Sequence, residues 1–205
     1  IEEAILQNAQ AILVHHGIFW GPGVKKLDGI LGQRVKLLMK HDINLFAYHL
    51  PLDAHSSLGN NSGIARAIDL RQETIKPFGE YAGQLIGEGG ELAEPASFEK
   101  LLGKVTREIG KPNFVIGDLK KQISSVAICS GGAPDLLTQA IEQNFDAYLT
   151  GEATEWVTSI AIESGVAFIA AGHHATERFG VKSLANEIQK EIGLDVYFKD
   201  IPNPI

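Results

Sequence analysis

Three short apolar runs, Ala11 to Val14, Leu45 to Tyr48 and Val166 to Ala170, each give way to a polar loop that carries histidine. Runs of this length suit buried strands and are too short for helices that must bury a face, so each reads as a strand ending where the histidines begin. Segments with helical periodicity lie between and after them, at Gly32 to His41, Ile64 to Leu70, Phe98 to Ile109, Leu136 to Gln143 and Val181 to Ile192. Strands alternating with helices need crossover connections, which build a largely parallel sheet. The fold class is therefore α/β.

Val126 to Cys129 and Ala147 to Leu149 add two strands of the same kind, each leading into a polar loop and then a helix. Ser97, shortly after Pro95, fits an N-cap whose hydroxyl accepts an orphan N–H of the helix that follows. Gly83 to Gly90 is rich in glycine and has no clear period, while Asp195 to Ile201 alternates like a final strand. The third histidine loop lies far along the chain from the first two. That separation suggests an outer α/β domain of residues 1–70 plus 170–205, with a middle α/β domain, residues 71–169, inserted into it.

With 205 residues, 44% of them apolar, the chain can build a core without covalent staples. Its single cysteine, Cys129, excludes an internal disulfide and a thiolate zinc cluster, and fits a reducing compartment. Metal chemistry here must come from histidine and carboxylate. No apolar run approaches the roughly 18 to 20 residues of a membrane helix, so a cytoplasmic protein is expected. The chain opens on Ile1, and Ile1 to Gln10 reads as the middle of a helix, which suggests a segment preceding it. A net charge of −7 argues against a nucleic-acid partner, including a ring around DNA, which needs a basic channel. Lys25, Lys26, Arg34, Lys36 and Lys40 crowd one stretch and read best as a solvated helix face.

Of the histidines at 15, 16, 41, 49, 55, 173 and 174, six lie within a few residues of an expected strand's C-terminal end. Open α/β sheets bind ligands just outside those ends, where loops distant in sequence converge. His173 and Glu177 are four residues apart, so on a helix they point the same way and can grip one ion. Taken alone, such a pair is more simply a capped helix start with a surface ion pair. His15 and His16 would face opposite sides of a strand, but Gly17 lets the chain turn and bring both imidazoles to one cleft. Asp53 adds a carboxylate whose two oxygens can bridge two ions. Together His15, His16, Asp53, His173 and Glu177 oversupply one tetrahedral ion; shared between two, they leave positions for water, as a hydrolytic site requires. Nitrogen and oxygen donors without thiolate admit Fe, Zn, Mn, Co or Ni. His55 and His174 are candidates for orienting the ligands or carrying protons.

Other signals are weaker. The loop Ser130-Gly-Gly-Ala-Pro-Asp135 follows a strand and precedes a helix, as phosphate cradles do, but it lacks a Walker lysine and reads better as a tight turn. Glu152 either faces the cleft or favours a helix N-terminus. Cys129 reads as a small buried apolar residue, not a nucleophile.

Three motifs carry a resemblance: VHHGIFW at Val14 to Trp20, YHLPLDAH at Tyr48 to His55 with Gly59 and Asn60 following, and GHHATERFGV at Gly172 to Val181. With these, the glycine-rich loop of Cys129 to Asp135 and the TGE of Thr150 to Glu152, the chain resembles the Nif-three-like (Ngg-interacting-factor-like) family in its bacterial YbgI type, over essentially its whole length. The resemblance implies two related three-layer α/β/α domains with mixed, largely parallel sheets, a dinuclear metal centre in the cleft between them and a toroidal homohexamer. Carried over motif by motif, it implies the ligands His15, His16, Asp53, His173 and Glu177, and a family N-terminal strand segment that this chain lacks. Such proteins are often labelled GTP cyclohydrolase I type-two homologues. The expectation is a metal-dependent hydrolase with two divalent ions and a small-molecule substrate of nucleotide or purine type. The alternative is a non-catalytic metal-binding or interaction protein, such as a metal-insertion factor.

Overall fold

The first of the histidine-terminated runs, Ala11–Val14 (β1), pairs in parallel with Asn44–Ala47 (β2), from Ala11 opposite Asn44 to Val14 opposite Ala47. In this computed structural model, which describes residues 1–23 and 25–203, the short helix Glu2–Leu6 (α1) precedes β1, and Gly29–Lys40 (α2) makes the crossover to β2. Arg34, Lys36 and Lys40 of α2 are exposed, as a solvated basic face requires. These elements belong to one compact unit, Ile1–His49; a second begins at Leu50 and takes in the rest of the described chain. The inserted-domain reading, with boundaries at 71 and 169, draws its lines elsewhere and stays a reading of sequence order.

The second unit opens with Leu50–Asp53 (α3) and Asn60–Ala67 (α4), followed by the strands Lys76–Tyr81 (β3) and Gln84–Ser97 (β4). Then come Phe98–Glu108 (α5), Phe114–Ile116 (β5), Gln122–Ile128 (β6), Leu137–Glu142 (α6), Ala147–Thr150 (β7), Val157–Ser164 (α7), Ala167–Ala170 (β8), His173–Thr176 (α8) and Arg178–Ile192 (α9). Its sheet has the order β3-β4-β6-β7-β8-β5. The centre, β6-β7-β8, is parallel; β3 and β4 join one side and β5 the other in antiparallel fashion, which makes the sheet mixed.

Alternation along the parallel strands sorts the core into two layers. Val126, Ile128, Ala147, Leu149, Ala167 and Ile169 face α4 and α5, against Ile64, Ile68, Phe98, Leu101 and Val105. Ala127, Cys129, Tyr148, Phe168 and Ala170 face α6 and α7, against Leu137, Ala140, Val157 and Ala161. Helices on both faces of the sheet give three layers, α/β/α, and both faces of its central strands are dry.

Ser97 is the N-cap of α5, its hydroxyl accepting the Lys100 N–H at 3.3 Å. Ser97→Ala is expected to cost about 1 kcal/mol in urea unfolding. Within the stretch Gly83 to Gly90, Gly83 lies in the hairpin turn and Gln84 to Gly90 is the start of β4, paired with β3. Asp195 to Ile201, expected as a strand, is not one: no strand pairs with it among the described residues, and alternation without a neighbour makes no ladder. The tail instead lays Phe198 beneath the Lys182 ammonium, 4.6 Å from the ring centroid. Among the described residues no helix is long and apolar enough to cross a membrane.

Candidate metal centre

In the first unit the parallel register sets the site. With Val14 opposite Ala47, the residues leaving the two strands side by side are His15-His16 and Tyr48-His49. The ring centroids of His15 and His16 lie 4.8 Å apart, and that of His49 lies 5.0 Å from the first and 5.1 Å from the second. One ring nitrogen from each falls within 4.8 Å of those of the others, so three imidazoles are gathered closely enough to hold a metal ion. Trp20 closes one flank, its ring 5.3 Å from both His16 and His49, and its indole N–H donates to the Gly17 carbonyl at 2.8 Å. Gly17 sits where a Cβ would come within 3.1 Å of the Ala47 Cβ, so the turn out of β1 hugs β2. His15 is buried and His16 exposed.

In the second unit Ser130, Glu152 and His173 follow the C-terminal ends of the three parallel strands β6, β7 and β8, where an open α/β sheet places its ligands. His173 follows β8 and opens α8. Its Nε2 lies 3.1 Å from Glu177 Oε1, so the i, i+4 pair does point one way. Its Nδ1–H donates to Glu152 Oε1, beyond the end of β7, at 2.7 Å. This settles the two readings of Glu152 in favour of the side chain that reaches the site. The hydrogen bond to Glu177 raises the His173 pKa, burial opposes it, and the Glu152 bond adds to it, for a net value of about 9. The ring is thus an imidazolium between two carboxylates, an arrangement in which a cation is already the favoured guest.

Asp53, 5% exposed at the end of α3, is held by its neighbours. Its Oδ1 accepts from Asn60 Nδ2 and from Ser130 Oγ, each at 2.8 Å. Asn60 in turn accepts the Gly180 N–H of α9 at 2.7 Å, and Asn61 accepts the Ser130 N–H at 2.8 Å while donating to the Ile86 carbonyl at 2.7 Å. A buried carboxylate costs several kcal/mol unless it is hydrogen-bonded, and this network holds and orients one of its oxygens. Sequence reasoning did not single out His49, Asn60, Asn61 or Ser130 as partners of the ligand set.

The loop after β6 backs onto this half of the site but does not cradle a phosphate. Ser130 N–H is taken by Asn61, Gly131 N–H donates to Thr176 Oγ1 at 3.0 Å, and Ala133 N–H donates to Thr150 Oγ1 at 3.3 Å. It is the tight turn expected. Burial pushes the Cys129 thiol far up, and the Asp53 and Glu177 carboxylates push it further, so it stays a protonated, inert group.

His55 is exposed; its Nδ1 accepts the backbone N–H groups of Ser57 at 3.3 Å and Leu58 at 3.2 Å, capping the turn before α4. His174 turns away from His173 and bonds Asp200 Oδ1 through Nε2 at 2.9 Å.

The chain is similar to known proteins over its whole length. A protein called GTP cyclohydrolase 1 type 2 homolog from Haemophilus influenzae is 44% identical over the whole chain, which spans 80% of that relative. The solved structure of protein ybgI, described as of unknown function, is 38% identical and superposes with a TM-score of 0.89, covering all of this chain and 80% of that one. TTHA1606 from Thermus thermophilus is 31% identical with a TM-score of 0.85, covering all of this chain and 79% of that one. The model of the Duf34/NIF3 (NGG1p interacting factor 3) family matches residues 1–204, and the chain belongs to that family.

Proposed function

We propose that the chain is a metal-dependent hydrolase that holds two divalent ions through His15, His16, Asp53, His173 and Glu177 and acts on a substrate of nucleotide or purine type. The observation that carries it is the His173–Glu177 pair buttressed by Glu152. A histidine that ligates metal characteristically donates its other ring N–H to a carboxylate, which fixes the tautomer. The imidazole group of His15, His16 and His49 supports the other half of the ligand set, and His49 is the further nitrogen donor beside it. The donors are nitrogen and carboxylate oxygen, which suit Fe, Zn, Mn, Co or Ni.

Divalent ions bound there would supply Lewis acidity and make a water molecule acidic enough to attack at neutral pH. The chain's own groups do the positioning. Glu152 holds the His173 ring, Asn60 and Ser130 hold one oxygen of Asp53, and the imidazolium proton of His173 must leave before Nε2 can ligate. The purine-type substrate follows the name that the relatives carry. The resemblance to the bacterial family type extends the proposal to a cytoplasmic, toroidal homohexamer, which light scattering tests.

The test is metal analysis of the purified protein beside Asp53→Ala and His173→Ala, with anomalous scattering to count ions, followed by assay of the loaded protein on purine nucleotides. Wild type is expected to carry two ions and each variant fewer. Wild-type metal content in both variants would overturn the site; full occupancy without turnover of any nucleotide would overturn the hydrolase.

A further inference from the structure

The turn that carries His173 and Glu177 carries a second i, i+4 pair displaced by one residue. His174 and Arg178 lie about 100° further round the same turn, and one carboxylate ties them together. Asp200 Oδ1 meets His174 Nε2 at 2.9 Å and Asp200 Oδ2 accepts from Arg178 Nη1 at 2.5 Å. Arg178 also donates through Nη2 to the Ile109 carbonyl at 2.8 Å, where α5 ends. Each of the two candidate ligands thus has an immediate chain neighbour held by Asp200.

The turn needs such a tie. α8 is only four residues long, and Glu177, with φ −103° and ψ 11°, interrupts the helix between α8 and α9. A single turn has little intrinsic stability, so the angle between His173 and Glu177 is set by what grips the segment from outside. Asp200 reaches it from a tail that pairs with no strand among the described residues and that is pinned to α9 at Phe198.

We propose that Asp200 is a positioning residue for the metal centre: the C-terminal tail clasps His174 and Arg178 and thereby fixes the turn that aims His173 and Glu177 at a shared ion. This rests on the reading of those two residues as ligands. Tail docking and metal binding then support one another, because each holds a different face of the same turn, and thermodynamic linkage makes that support reciprocal.

Titration of the whole chain with Co2+, followed by its visible absorption, tests the inference on wild type, D200A and D200E. D200A is expected to bind cobalt about 10 to 100-fold more weakly, the usual scale for a residue that orients ligands from behind. Its visible band should change in intensity as the coordination geometry loosens, which a change in stability alone would not produce. D200E, which keeps the charge and both acceptors, is expected to recover part of the affinity. Should D200A not fold, D200N keeps the shape and removes the charge, and a weaker but measurable loss is expected. Wild-type affinity and spectrum in a folded D200A or D200N would overturn the inference alone. A wild-type chain that takes up no cobalt would overturn the metal reading and this inference with it.

Discussion

Replacing Gly131 by alanine is expected to cost about 2 to 4 kcal/mol of stability and to weaken metal uptake about 10 to 100-fold, because two independent penalties meet at that position. Gly131 has φ +70°, the left-handed region, which costs an L-residue roughly 1 to 2 kcal/mol. A Cβ there would also stand 2.2 Å from Glu177 Oε1 and 3.3 Å from His173 Nε2. The loop cannot yield easily: Gly131 N–H is held by Thr176 Oγ1, and its carbonyl accepts from Thr150 Oγ1 at 3.1 Å and Gly151 N at 2.8 Å. Glu177, 9% exposed, must therefore move instead. Gly132→Ala is the control, since its nearest contact would be a milder 3.3 Å, to the far end of the Glu152 side chain at Oε2. Urea unfolding and metal analysis of the two variants check this; a G131A chain as stable and as metal-loaded as G132A would show that the loop does not press on the ligand.

The strands were legible where side chains mark the period. Ala11–Val14 forms a strand as expected, although it is exposed to half-buried where a buried strand was expected. The parallel core strands begin or end within a few residues of their apolar runs, because buried strands in a sheet covered on both faces are continuously apolar. The start of β4 was not legible, and glycine is the reason. A Cβ at Gly87 would stand 2.3 Å from the Ile128 carbonyl and one at Gly89 2.3 Å from the Phe145 ring. There the neighbouring strand and the aromatic ring occupy the space that alternating side chains would otherwise announce. At the tail the reverse happened: Asp195 to Ile201 has the alternation but no partner strand among the described residues.

In the site, the i, i+4 relation of His173 and Glu177 was readable because helical geometry is local. His49 was not singled out, because its place beside His15 and His16 depends on a register between strands about thirty residues apart, which periodicity does not report. Once β1 and β2 are taken as parallel and in step, Tyr48-His49 must emerge beside His15-His16. Asn60, Asn61 and Ser130 were hidden for a similar reason. Their roles are hydrogen bonds across the fold to Asp53, Ile86 and Gly180, and polar side chains of that kind look in sequence like ordinary cap and loop residues.

Glu88 lies outside the metal centre and gives the chain a pH dependence of its own. It sits in β4, 8% exposed, on the strand that pairs with β6, and its Oε2 is buried with no hydrogen-bond partner. Burial raises its pKa from 4.5 to about 7, against a smaller lowering by the Arg66 guanidinium. Below pH 4.5 the group is protonated in both folded and unfolded chains and contributes nothing to the difference between them. As pH rises from there through 7 the unfolded chain ionises first, so stability is lost across that window, by up to about 3 kcal/mol once both forms are charged. Glu88→Gln removes the titration. The stability of wild type relative to this variant is therefore expected to fall by about 2 to 3 kcal/mol between about pH 5 and about pH 8. Urea unfolding of both chains at the two values measures that difference directly, with every other titrating group common to the pair. Parallel changes in the two chains would mean that the carboxylate is solvated in the folded state, and that the unpartnered oxygen on β4 costs the fold nothing at neutral pH.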